Sequence, residues 1–209
     1  MDPKELLNNP GTAAFSRIKY LQRFGYTDQV TEFINGLFLA AVESKYKGDW
    51  DDLTYFLEGW ENVAVGLQFQ GMVMPELGPI PWAEFRKPLE QSTVALVTTG
   101  GVSLPGQTPY NERGDTSYRT IPRDADTKSF HIWHPGYDNV PANQDINCIF
   151  PLDRFKELEA EGVIGRLAET NYAFMGLIPE PEHLVNETAP EVALRLKDAG
   201  VDAVFLAST

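Results

Sequence analysis

Apolar positions recur at helical spacing through the first third of the chain. After Thr27, the residues Val30, Phe33, Ile34, Leu37, Phe38 and Ala41 fall on one stripe. Asp28 lies in the first turn, where a carboxylate suits the helix dipole, and Gly48 ends the run. A second stripe comes after Asp49, built from Leu53, Phe56, Leu57, Trp60, Val63, Ala64 and Leu67. Two such helices joined by a short turn predict an antiparallel hairpin. A weaker helical pattern over Ala13 to Phe24 precedes it. Stripes of this kind pack against the rest of a protein or against a second copy. The aromatic density of Phe56, Trp60 and Phe69 makes a homo-oligomer through the N-terminal helices the alternative to internal packing. Between 71 and 90 the periodicity stops. Met72, Met74, Pro75, Gly78, Pro79, Pro81 and Pro88 forbid a long regular element, and Trp82 and Phe85 are expected to tuck against the α/β domain. The predicted organisation is a helical extension over 1–70, a Pro-rich linker over 71–90 and an α/β domain over 91–209.

The second part alternates short apolar runs with helices. Thr93 to Thr99 (TVALVTT) is β-branched and apolar throughout, as a strand buried on both faces of a parallel sheet is. Further strands are predicted at Ser129 to Trp133, Asn171 to Gly176 and Val201 to Ser208, the last also buried. A helix opens at Pro151, with Leu152, Phe155 and Leu158 on one face and Gly162 as its stop. Another opens at Thr188-Ala189-Pro190-Glu191, read as a capping box in which hydroxyl and carboxylate satisfy exposed N–H groups, and ends at Gly200. Successive strand–helix–strand crossovers imply a mostly parallel, Rossmann-like sheet preceded by the helical extension. The polar stretch Gln107 to Arg123 shows few signs of regular structure, and a loop that long inside a compact domain points to function.

Composition narrows the picture. The 209 residues carry a net charge of −13, which argues against nucleic acid and anionic membrane surfaces as partners. No apolar run reaches the roughly 18 residues of a membrane span, and the N-terminus lacks a secretory pattern. A soluble, cytoplasmic protein is expected. The single cysteine, Cys148, excludes an internal disulfide, and its place before Ile149-Phe150 reads as a small buried hydrophobe in preference to a nucleophile.

The segment from His134 to Arg154, HPGYDNVPANQDINCIFPLDR, concentrates the chemistry. Pro and Gly keep its first half irregular, and its Asn and Asp side chains can hold a loop in one shape through bonds to the backbone. His131 and His134 have H-x-x-H spacing, but in an extended strand that offset points them to opposite faces. With three histidines and one cysteine, no metal site is expected, and no cofactor is implied. His134, at a strand end, is the candidate for acid/base work. Gly100 and Gly101, at the end of the first strand, could let backbone N–H groups approach a ligand closely. No GxGxxG comes after them, which disfavours a dinucleotide site. Arg119 and Arg123 are the cations available to a carboxylate substrate.

Taken in order, VALVTTGGV, GDTSYRTIPRDA, the His134 segment continued to Gly165, FMG, and APEVALRLKDAGVDAVFLAS resemble selenoprotein B of the glycine/sarcosine/betaine/D-proline reductase family over roughly Ile80 to Thr209. DINCIFPLDR looks closest to the proline-reductase branch. The resemblance implies a reductase subunit that cleaves a carbon–heteroatom bond in a small, amino-acid-like substrate by selenol or thiol attack. It further implies other reductase subunits and a thiol or thioredoxin-type electron donor. The family's nucleophile falls just beyond the strand that ends near Ser208, so the 209-residue chain alone is expected to be inactive, as the front part of a longer protein cut at a selenocysteine codon. His134, Tyr137 and Asp138 carry over, with His134 and Asp138 as catalytic candidates. Gly100, Gly101, Ser103, Arg119 and Tyr137 are the substrate-binding candidates. Ser103 stands in the neighbourhood where the family often has a histidine, and Pro135 replaces a glycine of its His-Gly-Gly-Tyr-Asp. The alternative is a non-catalytic binding or assembly subunit of a multi-subunit complex. The topology predicts that Gly100–Ser103, His134–Asp138 and Leu206–Thr209 converge at the carboxyl end of the strands.

Overall fold

A computed structural model describes residues 25–68, 78–79, 83–134 and 139–208. The predicted helix over Ala13 to Phe24, most of the linker including Trp82, and Pro135 to Asp138 lie outside the described residues. Two compact units divide near Met72. In the first, helices α1 (Thr27–Lys47) and α2 (Asp51–Gln68) form the expected hairpin. Gly48 ends α1 with φ 69°, a left-handed conformation that glycine adopts without strain, and donates to the Ser44 carbonyl. Phe33 is fully buried, stacked on Phe56 at 5.8 Å and edge-on to Trp60 at 5.7 Å between ring centroids. The Tyr26 hydroxyl donates to the Leu67 carbonyl at 3.4 Å, tying the open end together.

The second unit is mixed α/β. Its strands are β1 (Thr93–Thr98), β2 (Val102–Ser103), β3 (Arg119–Pro122), β4 (His131–Ile132), β5 (Arg166–Leu167), β6 (Thr170–Ala173) and β7 (Ala203–Ala207). Its helices are α3 (Val140–Gln144), α4 (Leu152–Ala160) and α5 (Ala189–Asp198). β1 is the centre of a mostly parallel sheet. β7 pairs with one edge of it from Val94 to Thr98. β5 and β6 share the other edge, at Thr93–Val94 and Val97–Thr98 respectively. The ladder breaks between them, and Asn171 fills the break. Its amide oxygen accepts from Leu96 N–H at 2.8 Å and its amide nitrogen donates to the Ala168 carbonyl at 3.2 Å. β3 closes that side, antiparallel to β6.

Alternation along β1 supplies both layers of the core. Val94 and Leu96 pack with Leu152, Phe155 and Leu167 on the α4 side. Ala95 and Val97 pack with Val192 and Leu196 of α5. This is why an unbroken apolar run was required.

The structure corrects several expectations. The predicted strand at 129–133 is only His131–Ile132, and it pairs antiparallel with β2 in a separate two-stranded sheet. β7 is parallel to β1 as expected but is not buried: Val204, Phe205 and Leu206 are exposed, and among the described residues β7 pairs with β1 alone, as an edge strand. The polar stretch 107–123 contains β3, in which Arg119 and Ile121 turn inward and Thr120 and Pro122 outward. Pro122, which cannot donate to a ladder, fits its edge position. Thr188 does not cap a helix. It sits within a π turn (Leu184–Thr188) running directly into α5, and its hydroxyl donates to the Thr116 carbonyl at 2.7 Å, while Glu191 accepts from Tyr118. Phe85 is exposed and not tucked in. Cys148 is exposed too: Ile146 is the buried residue of its 3-10 turn, and Ile149 and Phe150 just after the turn point inward. No described helix is long and apolar enough to cross a membrane.

Candidate functional site

His134 is buried, in a niche that two glycines make possible. Gly101 has φ +68°, and a Cβ there would stand 2.9 Å from the His134 backbone nitrogen. A Cβ on Gly176 would stand 2.8 Å from His134 Nε2. Both distances are below any real Cβ contact, so glycine at these two positions is what admits the imidazole. The backbone locks the niche: Trp133 N–H donates to the Gly101 carbonyl at 2.9 Å and Gly101 N–H to the Phe174 carbonyl at 2.8 Å.

Thr98 ties this niche to the loop before α4. Its hydroxyl donates to the Ile149 carbonyl at 2.7 Å and accepts from Gly100 N–H at 3.0 Å. Thr99 N–H donates to the Ala207 carbonyl at 3.0 Å, which sets the end of β7 beside the glycine turn. Gly100, Gly101, His134 and the end of β7 thus meet at the carboxyl end of the parallel strands. Tyr137 and Asp138 lie outside the described residues.

The remaining candidates serve the surrounding frame. Ser103 is buried in β2, and its hydroxyl accepts from Trp133 Nε1 at 2.9 Å. Arg119 is buried in β3 and spends its guanidinium inside the chain. It donates to the Thr108 carbonyl at 2.7 Å, Ser117 Oγ at 2.8 Å and the Tyr118 carbonyl at 3.0 Å, and lies 4.0 Å over the Tyr110 ring. Tyr110 in turn donates to the Ala173 carbonyl at 2.5 Å, and burial pushes its phenol well above the ordinary range. Arg123 likewise pairs with Glu159 at 2.6 Å. The N–H groups of Gly100 and Gly101 are taken by Thr98 Oγ1 and the Phe174 carbonyl, and the two glycines give space for Ile149 and His134 respectively.

Sequence reasoning missed Thr98 and Gly176. Gly176 had a signal, since it comes directly after a strand run, as Gly100 does. Thr98 had none, because a threonine inside a β-branched run reads as a strand former. Among the described residues, two cavities lie elsewhere. One of about 330 Å³ is walled by Phe130, Ile132, Asn143, Asn147 and Asp153. One of about 380 Å³ is walled by Arg113, Thr116, Pro179 and His183, where His183 Nδ1 stands 3.0 Å from Thr116 Oγ1. Among the described residues no cluster of His, Cys, Asp and Glu could hold a metal ion. Chemically, the niche offers one imidazole, held in a fixed place in a water-poor corner, able to hold or pass a proton.

Residues 65–209 match the family described as glycine/sarcosine/betaine reductase selenoprotein B. The chain is 43% identical over 145 residues to D-proline reductase subunit gamma of Acetoanaerobium sticklandii, covering 69% of this chain and 60% of that one. It is 36% identical over 141 residues to glycine reductase complex component B subunit gamma of Carboxydothermus hydrogenoformans, covering 65% of this chain and 32% of that one. It is 31% identical over 151 residues to betaine reductase complex component B subunit beta of Peptoclostridium acidaminophilum, covering 69% and 34%. Identity is higher to the proline reductase subunit than to the other two, as DINCIFPLDR led us to expect. The match spans 60% of the proline reductase subunit and about a third of the others. No solved structure matches the chain.

Proposed function

The chain belongs to the selenoprotein B family of the glycine, sarcosine and betaine reductases, and from that premise we propose that it forms part of a reductase subunit. The subunit cleaves a carbon–heteroatom bond in a small, amino-acid-like substrate. In this reading a selenol or thiol located just after Thr209 attacks the substrate carbon while the bond to the heteroatom breaks. The departing heteroatom keeps the electron pair and takes a proton, and His134 is the group that delivers it, with Asp138 and Tyr137 beside it in sequence orienting the substrate. Other reductase subunits and a thiol or thioredoxin-type donor supply what this chain lacks. Under this reading the sheet works in the Rossmann-like manner, with chemistry at the carboxyl ends of its strands.

One observation carries the reading. Thr99 N–H bonds to the Ala207 carbonyl at 3.0 Å, and His134 packs against Gly101 two residues on. A group attached just after Thr209 is three residues beyond Ala207, at most about 10–11 Å of extended chain. The test is to read the codon next after Thr209 in the gene. A TGA codon continued in frame by further coding sequence agrees with the proposal. A TAA or TAG with nothing beyond it favours the second reading, a non-catalytic binding or assembly subunit. That second reading draws on the internal use of Arg119 and Ser103, which leaves neither side chain turned to a substrate.

A further inference from the structure

Arg113 is set apart from the other arginines. Every other arginine among the described residues stands 3.8 Å or less from a carboxylate. Among the same residues the Arg113 guanidinium has no such partner, and the Glu180 carboxylate has no cation. Yet both side chains stand at the wall of one cavity of about 380 Å³, exposed at its mouth. The walls around them are fixed. Gly114 has φ +141°, and a Cβ there would stand 2.8 Å from Pro179 Cδ, so the Arg113 turn presses on the Ile178–Pro179 wall only because residue 114 has no side chain. Asn111 holds that turn: its Oδ1 accepts from Arg113 N–H at 3.1 Å and its carbonyl from Gly114 N–H at 3.0 Å. Across the cavity, His183 is held between Thr116 Oγ1 at 3.0 Å and Glu187 at 3.3 Å. Glu112 and Glu182, beside these residues in the chain, do not wall the cavity. The charges left open to it are therefore one cation and one anion.

We propose that this cavity binds a small zwitterion with the charges of an amino acid, Arg113 taking its carboxylate and Glu180 its ammonium group. A guanidinium offers a carboxylate two parallel N–H donors, and a carboxylate accepts from an ammonium in the same charge-assisted way. Opposite charges that face one cavity without closing on each other suit a ligand that carries both. Ile178 and Pro179 supply an apolar wall for its carbon atoms. The cavity also lies close in the chain to the histidine niche. Gly176 packs against His134 Nε2, and Ile178 is two residues on, at most about 7 Å of extended chain. The bound molecule is then the substrate of the reductase proposed above, and in that respect the inference rests on that reading.

Binding to the 209-residue chain tests it without any turnover. The probe is glycine, followed through the Gly114 amide resonance, with acetate and methylammonium as probes that carry one charge each. Glycine is expected to give a saturable shift, weakened about 10- to 100-fold in Arg113→Gln and in Glu180→Gln. Among the described residues neither side chain bonds to the rest of the chain, so both variants should melt as wild type does. Acetate should lose affinity in Arg113→Gln alone, and methylammonium in Glu180→Gln alone. The absence of a saturable glycine shift overturns the proposal, and so does glycine binding that both variants keep. Acetate bound as tightly as glycine would reduce the cavity to an anion site and overturn it too. None of these results touches the proton assigned to His134, whose failure would show in turnover while glycine still bound through Arg113.

Discussion

Single residues decide whether this fold closes, and Asn171 shows how. It sits with no exposure at the break between β5 and β6, doing for Leu96 N–H what a strand backbone would otherwise do. Replacing it with leucine keeps the volume and removes the acceptor. The buried Leu96 N–H then loses its partner, at a cost of about 1–3 kcal/mol. Urea unfolding of Asn171→Leu against wild type is expected to read a loss in that range, and an unchanged midpoint would show that the ladder closes without the amide. Gly176 is the matching case for the site. A methyl group there meets His134 Nε2 at 2.8 Å, so Gly176→Ala must shift the ring or the chain. We expect a loss of about 1–3 kcal/mol together with a displaced His134 imidazole resonance. A stable variant with an unmoved resonance would mean that the niche is looser than the distances require. The sequence made His134 and Gly101 visible through their residue types, at the ends of apolar runs. It could not show that Gly176 closes the same niche, because that contact joins segments more than forty positions apart.

At the scale of elements, what was legible was what periodicity encodes. α1, α2 and β1 emerge from apolar spacing, since each buries a face that its own sequence defines. Pairing partners are not encoded that way. The strand expected near Trp133 leaves the main sheet for β2, and β3 escaped notice because only Arg119 and Ile121 turn inward within a polar stretch. The capping box failed for a tertiary reason: the Thr188 hydroxyl has a better partner in the Thr116 carbonyl. Phe33 holds the hairpin through Phe56 and Trp60, so Phe33→Ala should cost about 3–5 kcal/mol and melt the α1–α2 signal first. Loss of the β-sheet signal at the same temperature, with no earlier helical transition, would contradict a separately packed hairpin.

Connections between elements also set the acid response. Burial works against the charged form of Asp115, yet the Ser117 hydroxyl, the Asn111 and Ser117 N–H groups and Arg119 hold its carboxyl below the ordinary range. Burial likewise opposes the Asp153 charge, and bonds from Thr127, Asn147 and Lys156 outweigh it. A depressed carboxyl binds fewer protons folded than unfolded. Its contribution is complete above the unfolded value, near about 4, and is lost as pH falls through the lower folded values. Thermal midpoints should therefore be flat from neutral pH to about 5 and fall below about 4. Asp153→Asn should shrink that fall, and an unaltered slope would remove Asp153 from the account.

For the whole molecule, the chain belongs to a reductase family, and a buried histidine stands at the carboxyl ends of its parallel strands. The central proposal is that His134 delivers a proton there. Under that proposal the most direct measurement is turnover of the reductase component, assembled with the subunits and thiol donor proposed for it, carrying His134→Gln. Glutamine keeps much of the ring's size and hydrogen bonding but cannot exchange a proton near neutral pH. A variant that assembles and melts as wild type is predicted to lose about 10²- to 10⁴-fold in kcat. An assembled, folded His134→Gln component turning over at the wild-type rate would contradict the assignment.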